Sequence, residues 1–314
     1  MKYFLAFAVV LTVSCASNTI SKMQMAHNIS SQLPKGMMPL SSFGHARFGS
    51  AGLNHPHGIA IDFQGNVYIT DTGNDRIVKC DSLGNFIKEV GGFGWGESQF
   101  NRPTYITTDQ GLNIYVVDTQ NSRVQKFSRD LNHISTIQIR SDENQAGFGL
   151  LEGITITPGG EMILSDTEQD CLIRLDNFEQ YKSRFAGFEY GEGSVLDPMG
   201  LCTDNLGNIY AADSRRNRIA IYDPFGNYLK SIGGNSLNGP QGVTVGEDGC
   251  IYVANTGMNA LVIFDWQGEM IFKFGERGEE IGRFSGPTDI KVRGKSVYVV
   301  DSDNNRVQIL QLFR

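Results

Sequence analysis

PHGIAIDFQGNVYITDTGNDRIVK, from Pro56 to Lys79, decides how the rest of the chain is read. GIAID alternates apolar and small or polar residues, FQGN is a turn signal, VYIT alternates again, and TGND leads into RIVKC. Alternation with a period of two puts every second side chain on one face of a sheet, so the stretch predicts three short strands joined by tight turns. FIKEV, after the LGN turn at 83–85, supplies a fourth. The same pattern recurs five more times, starting at Arg102, Leu151, Pro198, Pro240 and Pro287. Aligned on Asp71, Asp118, Asp166, Asp213, Asn255 and Asp301, the copies are 47, 48, 47, 42 and 46 residues apart.

A period in this range with four short strands per unit predicts an all-β, six-bladed β-propeller of four-stranded antiparallel blades over residues 40–314. The last unit stops after three strands, at Leu310 to Phe313, while LSSFGHARFG (40–49) precedes the first unit without belonging to it. If that segment supplies the outer strand of the last blade, the ring is clasped shut and no sheet edge is left open. Tyr68, Tyr115, Tyr210, Tyr252 and Tyr298 recur three residues before the Asp or Asn position and are expected between blades. Arg76, Arg123, Arg218 and Arg306 recur five residues after it. Blade five has lost both the Asp and the Arg, which predicts that the two side chains pair in the other blades.

Residues 2–15 carry one positive charge and a run of about a dozen apolar residues, too short to span a bilayer, and read as an export signal. Ser14-Cys15 resembles a bacterial lipoprotein processing box, which implies cleavage before Cys15 and acylation of its thiol. Such a protein is held at a membrane surface of the cell envelope, in the periplasm or at the outer membrane. The alternative is cleavage after Ala16 and secretion. Residues 16–39 read as a flexible linker. Cys80, Cys171, Cys202 and Cys250 form no CxxC pair and are expected as buried free thiols rather than a zinc knuckle. A net charge of −7 disfavours nucleic acid as the main partner.

Pro-x-Gly, an alternating strand, Gly-Asn, a second alternating strand, Asp-Ser/Thr and Asn-x-Arg-Val/Ile together resemble the NHL repeat over about 270 residues. The connector FGERGEEIGRFSGP (274–287) is similar to that family's connectors. The resemblance implies a six-bladed propeller but not one activity, since such propellers include RNA binders, receptor ectodomains, scaffolds and a lyase. In that lyase three histidines after the Pro position of alternating blades hold zinc. The six copies here read His57, Thr104, Glu152, Met199, Gln241 and Thr288, and the next position reads Gly58, Tyr105, Gly153, Gly200, Gly242 and Asp289. His57 and Glu152 are therefore the candidate ligands for a zinc or calcium ion in the central channel, a poor set beside a neutral amide. No cofactor is otherwise implied.

In an antiparallel meander the Asp-opened turns and the long connectors share one face. The short turns, such as FQGN and NLGN, lie opposite and are expected to contribute little. Trp95, Arg102, Tyr105, Tyr190, Arg215, Arg216, Gln241 and Asp289 are the candidate partner-binding residues on the loop-rich face. The sequence thus predicts a monomeric, exported, membrane-anchored propeller that binds protein or glycan without catalysis. The alternative is a metal-dependent lyase or hydrolase at the channel mouth.

Overall fold

The computed structural model describes residues 33–109, 112–138, 147–187 and 191–314. These residues form six four-stranded antiparallel sheets, each a meander in sequence order except the last. Blade one runs Ile59–Ile61, Val67–Asp71, Arg76–Cys80 and Phe86–Gly91. Its register follows the alternation: Val67, Ile69 and Val78 pack toward blade six, while Ala60, Tyr68 and Ile77 pack toward blade two. Both faces of every central strand are consequently buried, and the apolar core is distributed between blades rather than collected at one centre. The tyrosine series lies in these layers. Tyr68 is fully buried, and its hydroxyl donates to Arg129 O at 2.9 Å and Asp62 Oδ2 at 3.1 Å, so its polar end is satisfied at the turn.

The last sheet contains Pro287–Arg293, Ser296–Asp301, Arg306–Phe313 and the N-terminal strand Gly36–Phe43, which pairs Gly36 with Phe313 and Phe43 with Val307. The ring is closed by the N-terminal strand, but that strand begins at Gly36. The boundary drawn between a linker ending at 39 and a propeller beginning at 40 is thereby corrected. Met37 explains the shift: its side chain is buried in the layer containing Leu310, Leu312 and Phe284. Residues 44–49 are not part of the strand, since the chain turns at Gly44 and places Phe48 between Phe43 and Phe86, with ring centroids 5.4 and 5.8 Å away. Residues 1–32, including Cys15, lie outside the described residues. No helix among the described residues is long and apolar enough to cross a membrane.

Candidate functional site

Each Asp after the second strand stands at the start of a single 3-10 turn or tight turn on one face of the ring. Asp118 is fully buried. Its Oδ1 accepts the Asn101 N–H at 2.8 Å and its Oδ2 accepts Arg123 Nε at 2.6 Å. The rest of the Arg123 guanidinium donates to the carbonyls of Trp95, Gly96 and Gln99 at 2.7, 2.9 and 2.8 Å. Arg76 and Asp71, Arg218 and Asp213, and Arg306 and Asp301 repeat the pair at 2.6, 2.7 and 2.7 Å. In blade five, Asn255 accepts the equivalent N–H from Asn238 at 2.8 Å without any charge. The predicted pairing is present in blades one, two, four and six, where it staples the incoming segment to the blade it enters. A buried pair of this kind fixes geometry more than it adds stability.

A second set of bonds joins neighbouring blades on the same face. The residue that ends each Asp-opened turn is left-handed, as at Asp75, Asn217, Asn259 and Asn305 with φ of 50°, 53°, 50° and 52°. Asp and Asn tolerate this backbone better than other non-glycine residues. Their side chains accept backbone N–H groups from the next blade: Asp75 from Arg102, Asn217 from Gly239, Asn259 from Gly286 and Asn305 from His55, at 2.7, 2.8, 2.9 and 2.8 Å. The last of these crosses the closure between blades six and one. The loop-rich face is therefore a rigid surface. On it Trp95 is 69% exposed and packs edge-on against Phe93, with centroids 5.3 Å apart. The Arg215 side chain is also exposed, and Arg102 and Arg216 are partly so.

The channel mouth is narrower than the sequence suggests. Inner strands approach so closely that a Cβ on Gly58 would lie 2.6 Å from Thr104 O, and one on Gly153 would lie 2.1 Å from Met199 O. The two blades without glycine in this position, two and six, carry Tyr105 and Asp289. The Tyr105 side chain crosses the channel, its hydroxyl donating to Gln241 O at 3.0 Å with Thr288 O at 3.4 Å. Burial raises its pKa well above the ordinary value, with Asp289 and Glu152 adding to the rise. Asp289 is also inside the ring. Its carboxylate accepts Ile59 N–H at 3.0 Å, Ile290 N–H at 2.8 Å and Lys291 Nζ at 3.0 Å. Tyr105 thus bridges the channel, and Tyr105 and Asp289 are both buried, so neither is surface available to a partner.

His57 stacks edge-on against Tyr105 with centroids 4.8 Å apart. Burial, assisted by the Arg102 charge, pushes its pKa down to about 3, so the imidazole is neutral. His57 as a residue is half-buried, and its Nδ1 is buried without a partner. Glu152 accepts Arg102 Nη1 at 2.9 Å on Oε1, while Oε2 is buried without a partner, as is Gln241 Oε1. Burial raises the Glu152 pKa and Arg102 opposes the rise. Blades one, three and five thus each contribute one orphaned polar atom near the mouth, a capacity for a small polar ligand. They do not make a good metal site. Arg102 already supplies the positive charge beside Glu152, Gln241 is a weak ligand, and among the described residues no group of three or more His, Cys, Asp or Glu is placed to hold an ion. Tyr190 lies outside the described residues.

Comparison with known proteins agrees with this architecture. The family model described as NHL repeat matches residues 53–80 and 100–127. Protein wech of Drosophila melanogaster is 31% identical over 81 residues, covering 24% of this chain and 10% of that protein. The match thus spans about a tenth of that relative's length. Among solved structures, a catalytically inactive virginiamycin B lyase from Staphylococcus aureus with quinupristin superposes with a TM-score of 0.60 at 14% identity, over 88% of this chain and 99% of that one. A gluconolactonase from Xanthomonas campestris gives 0.64 at 11% identity, over 88% and 89%. A nidogen/laminin complex gives 0.61 at 18% identity, over 75% and 85%. At these identities the structural likeness concerns the fold alone.

Proposed function

We propose that this NHL-repeat six-bladed β-propeller is an exported binding module, held in the cell envelope through lipid on Cys15, whose connector face docks a protein partner. The observation that carries the reading is the exposed Trp95–Phe93 pair on a connector pinned by Arg123. A large aromatic held rigidly in solvent has little left to lose in ordering, and Trp and Arg dominate the binding energy of protein interfaces. Arg215 offers a further anchor on the same face. A propeller in the nidogen/laminin complex is consistent with this use of the fold. A protein fits better than a glycan because the exposed aromatics and arginines sit on different blades, over a broad surface rather than in one cleft.

Crosslinking in intact cells tests the reading. Wild-type protein should capture a discrete partner, and Trp95→Ala should weaken that complex by about 2 kcal/mol, roughly thirtyfold. Capture unchanged by Trp95→Ala would remove the face from the account. Mass spectrometry of the native protein should find acyl mass on Cys15 that is lost in Cys15→Ser, and an unmodified Cys15 would rule out the anchor.

The runner-up is a metal-dependent lyase or hydrolase at the channel mouth. It draws on the orphaned atoms of His57, Glu152 and Gln241, and Arg102 counts against it.

A further inference from the structure

The face opposite the connectors carries what the turn chemistry does not require. Phe63, Leu83, Phe178, Leu206, Phe225 and Trp266 stand at the tips of its short turns, 54% to 83% exposed. These turns are not loose. Asp81 Oδ1 accepts the N–H groups of Leu83 and Asn85 at 2.9 and 2.8 Å, and Asp223 Oδ1 does the same for Phe225 and Asn227 at 2.8 and 2.9 Å. The Asp supplies the turn, the left-handed glycine or its equivalent ends it, and the residue between is free to be polar. A single exposed apolar residue needs no explanation, but the same choice on blades one, three, four and five, always on one face, does. The expectation that these short turns contribute little overlooked their tips.

Two further observations bear on what covers them. Exposed cations stand among the tips, beside turn-opening aspartates such as Asp81, Asp176 and Asp223, and each also holds a turn carbonyl: Lys88 at Asp130 O, Lys230 at Gln267 O and Arg293 at Phe63 O. The chain also joins the propeller here. Arg306 follows the connector-face turn, so Phe313 and its partner Gly36 lie at the opposite end, on the short-turn face. The described residues therefore begin, at Leu33, on this side of the ring.

We propose that the short-turn face rests on the surface of a lipid bilayer, its Leu, Phe and Trp tips in the interfacial layer and Lys88, Lys230 and Arg293 at headgroup phosphates, while the turn-opening carboxylates such as Asp81 and Asp223 stay bound to their own turn N–H groups. Tips spread around a ring define a plane, which suits a bilayer better than a peptide lying in a groove. Aromatic and aliphatic side chains flanked by cations are what the interfacial layer accepts. The connector face then points away from the membrane. The inference shares with the reading above a membrane-held domain, but it needs neither the acyl chain nor the partner.

The two tryptophans report on the two faces separately. Full-length Cys15→Ser protein is mixed with phosphatidylethanolamine/phosphatidylglycerol vesicles containing brominated lipid, either as Trp95→Phe, leaving Trp266, or as Trp266→Phe, leaving Trp95. Trp266 emission should shift to the blue and be quenched, while Trp95 is unaffected. Leu83→Ser/Phe178→Ser/Phe225→Ser should raise the lipid concentration for half-maximal Trp266 quenching at least tenfold, equivalent to about 1.4 kcal/mol. An unchanged urea midpoint in that variant confirms that the propeller is intact.

Vesicle association without Trp266 quenching means that the leader alone binds, and overturns the proposal. Quenching of Trp95 overturns it in favour of the other face. A lipid-free blue shift of Trp266 with a dimer in sedimentation assigns the face to a second copy, which also overturns it. The acyl chain on Cys15 is read by mass spectrometry of the native protein, independently of vesicle binding, so failure of this inference and failure of the anchor are read separately.

Discussion

Replacing Arg123 by Ala should cost more than replacing Arg123 and Asp118 together. Arg123 Nε sits 2.6 Å from Asp118 Oδ2, with side-chain exposures of 6% and 0%. Removing the guanidinium strands a buried carboxylate, a defect of about 3–5 kcal/mol. Asp118 keeps bonds from the Asn101 N–H and from Asn121 Nδ2, at 2.8 and 2.9 Å, which places the expectation at the lower end, about 3 kcal/mol. In Asp118→Asn/Arg123→Ala no charge is left behind. Blade five shows that the fold accepts this solution, with Asn255 and Ala260 both buried and Asn255 Nδ2 donating to Ser236 O at 3.3 Å. The new amide has the carbonyls vacated by Arg123 within the same connector, while Asn121 and Gln125 keep Gly94 O and Gln99 O as acceptors, at 3.0 and 2.6 Å. The double variant should then lose about 1–2 kcal/mol, so that at least about 1 kcal/mol is recovered. Urea unfolding of wild type, both single variants and the double variant, followed by far-ultraviolet circular dichroism, measures this directly. Equal losses for Arg123→Ala and the double variant, or a larger loss for the double, would refute the claim that a stranded charge sets the cost.

His57 should make the protein acid-sensitive in a defined window. Its folded pKa of about 3 lies below the ordinary histidine value of 6.5, so its stabilising contribution is complete above pH 6.5 and is lost as pH falls toward 3. The slope from this group is at most about 1.4 kcal/mol per pH unit, and His57→Gln should flatten the urea-midpoint profile between pH 6.5 and 4. Parallel profiles would place the titration elsewhere. Elemental analysis of purified protein should find no stoichiometric zinc or calcium, whereas a metal lost on His57→Ala would move the conclusion to the channel-mouth enzyme. Burial pushes the Cys171, Cys202 and Cys250 thiols up to about 12, and Cys80 higher still. None of the four should react with a thiol reagent at pH 8 until urea unfolds the propeller.

The blades were legible because their determinants are local and repeated. Alternation, the Gly-Asn turn and the Asp position each appear within a few residues and return near the same spacing, so six copies give the same answer. The Asp–Arg pair was also legible, through the one blade that lacks both members. What the alternation did not give was the start of the closing strand. Met37 and Met38 read as linker composition, and only the layer formed by Leu310, Leu312 and Phe284 gives Met37 a place to be buried.

The channel seal needed a different kind of reading. Gly58, Gly153, Gly200 and Gly242 occupy one column, and the two departures from it are Tyr105 and Asp289. A column that must be glycine because neighbouring backbones touch cannot hold a tyrosine unless that side chain has left the plane of contact, and the only direction open is across the channel. That signal was present in the sequence, but exposure was inferred from membership of the face rather than from the space available. The Asn and Asp bridges between blades were missed for another reason. Asp75 and Arg102 are 27 residues apart, and the bond uses a backbone N–H, which leaves no trace in side-chain identity.

The two faces follow different structural rules, and that difference bears on function. On the connector face, buried charges and inter-blade bonds hold long loops still, so a partner meets a surface whose ordering cost was met during folding. On the short-turn face many turns close on their own Asp, as Asp62 does by accepting the N–H groups of Gln64 and Asn66 at 2.9 Å each, and Ser128 and Thr157 take that place in two others. Neighbouring blades reach only the turn carbonyls, as Lys88 does at Asp130 O, and the side chains of Phe178 and Phe225 take no part in those bonds, so these tips can vary without disturbing the blade. Apolar tips are therefore a choice the fold does not impose, whereas Arg123 and Asp118 are ones it does. Substitutions at Phe178 or Phe225 should alter docking with the urea midpoint unchanged, and substitutions at Arg123 should lower that midpoint. A tip variant that unfolded the propeller would show that the apolar tips are held by the fold after all.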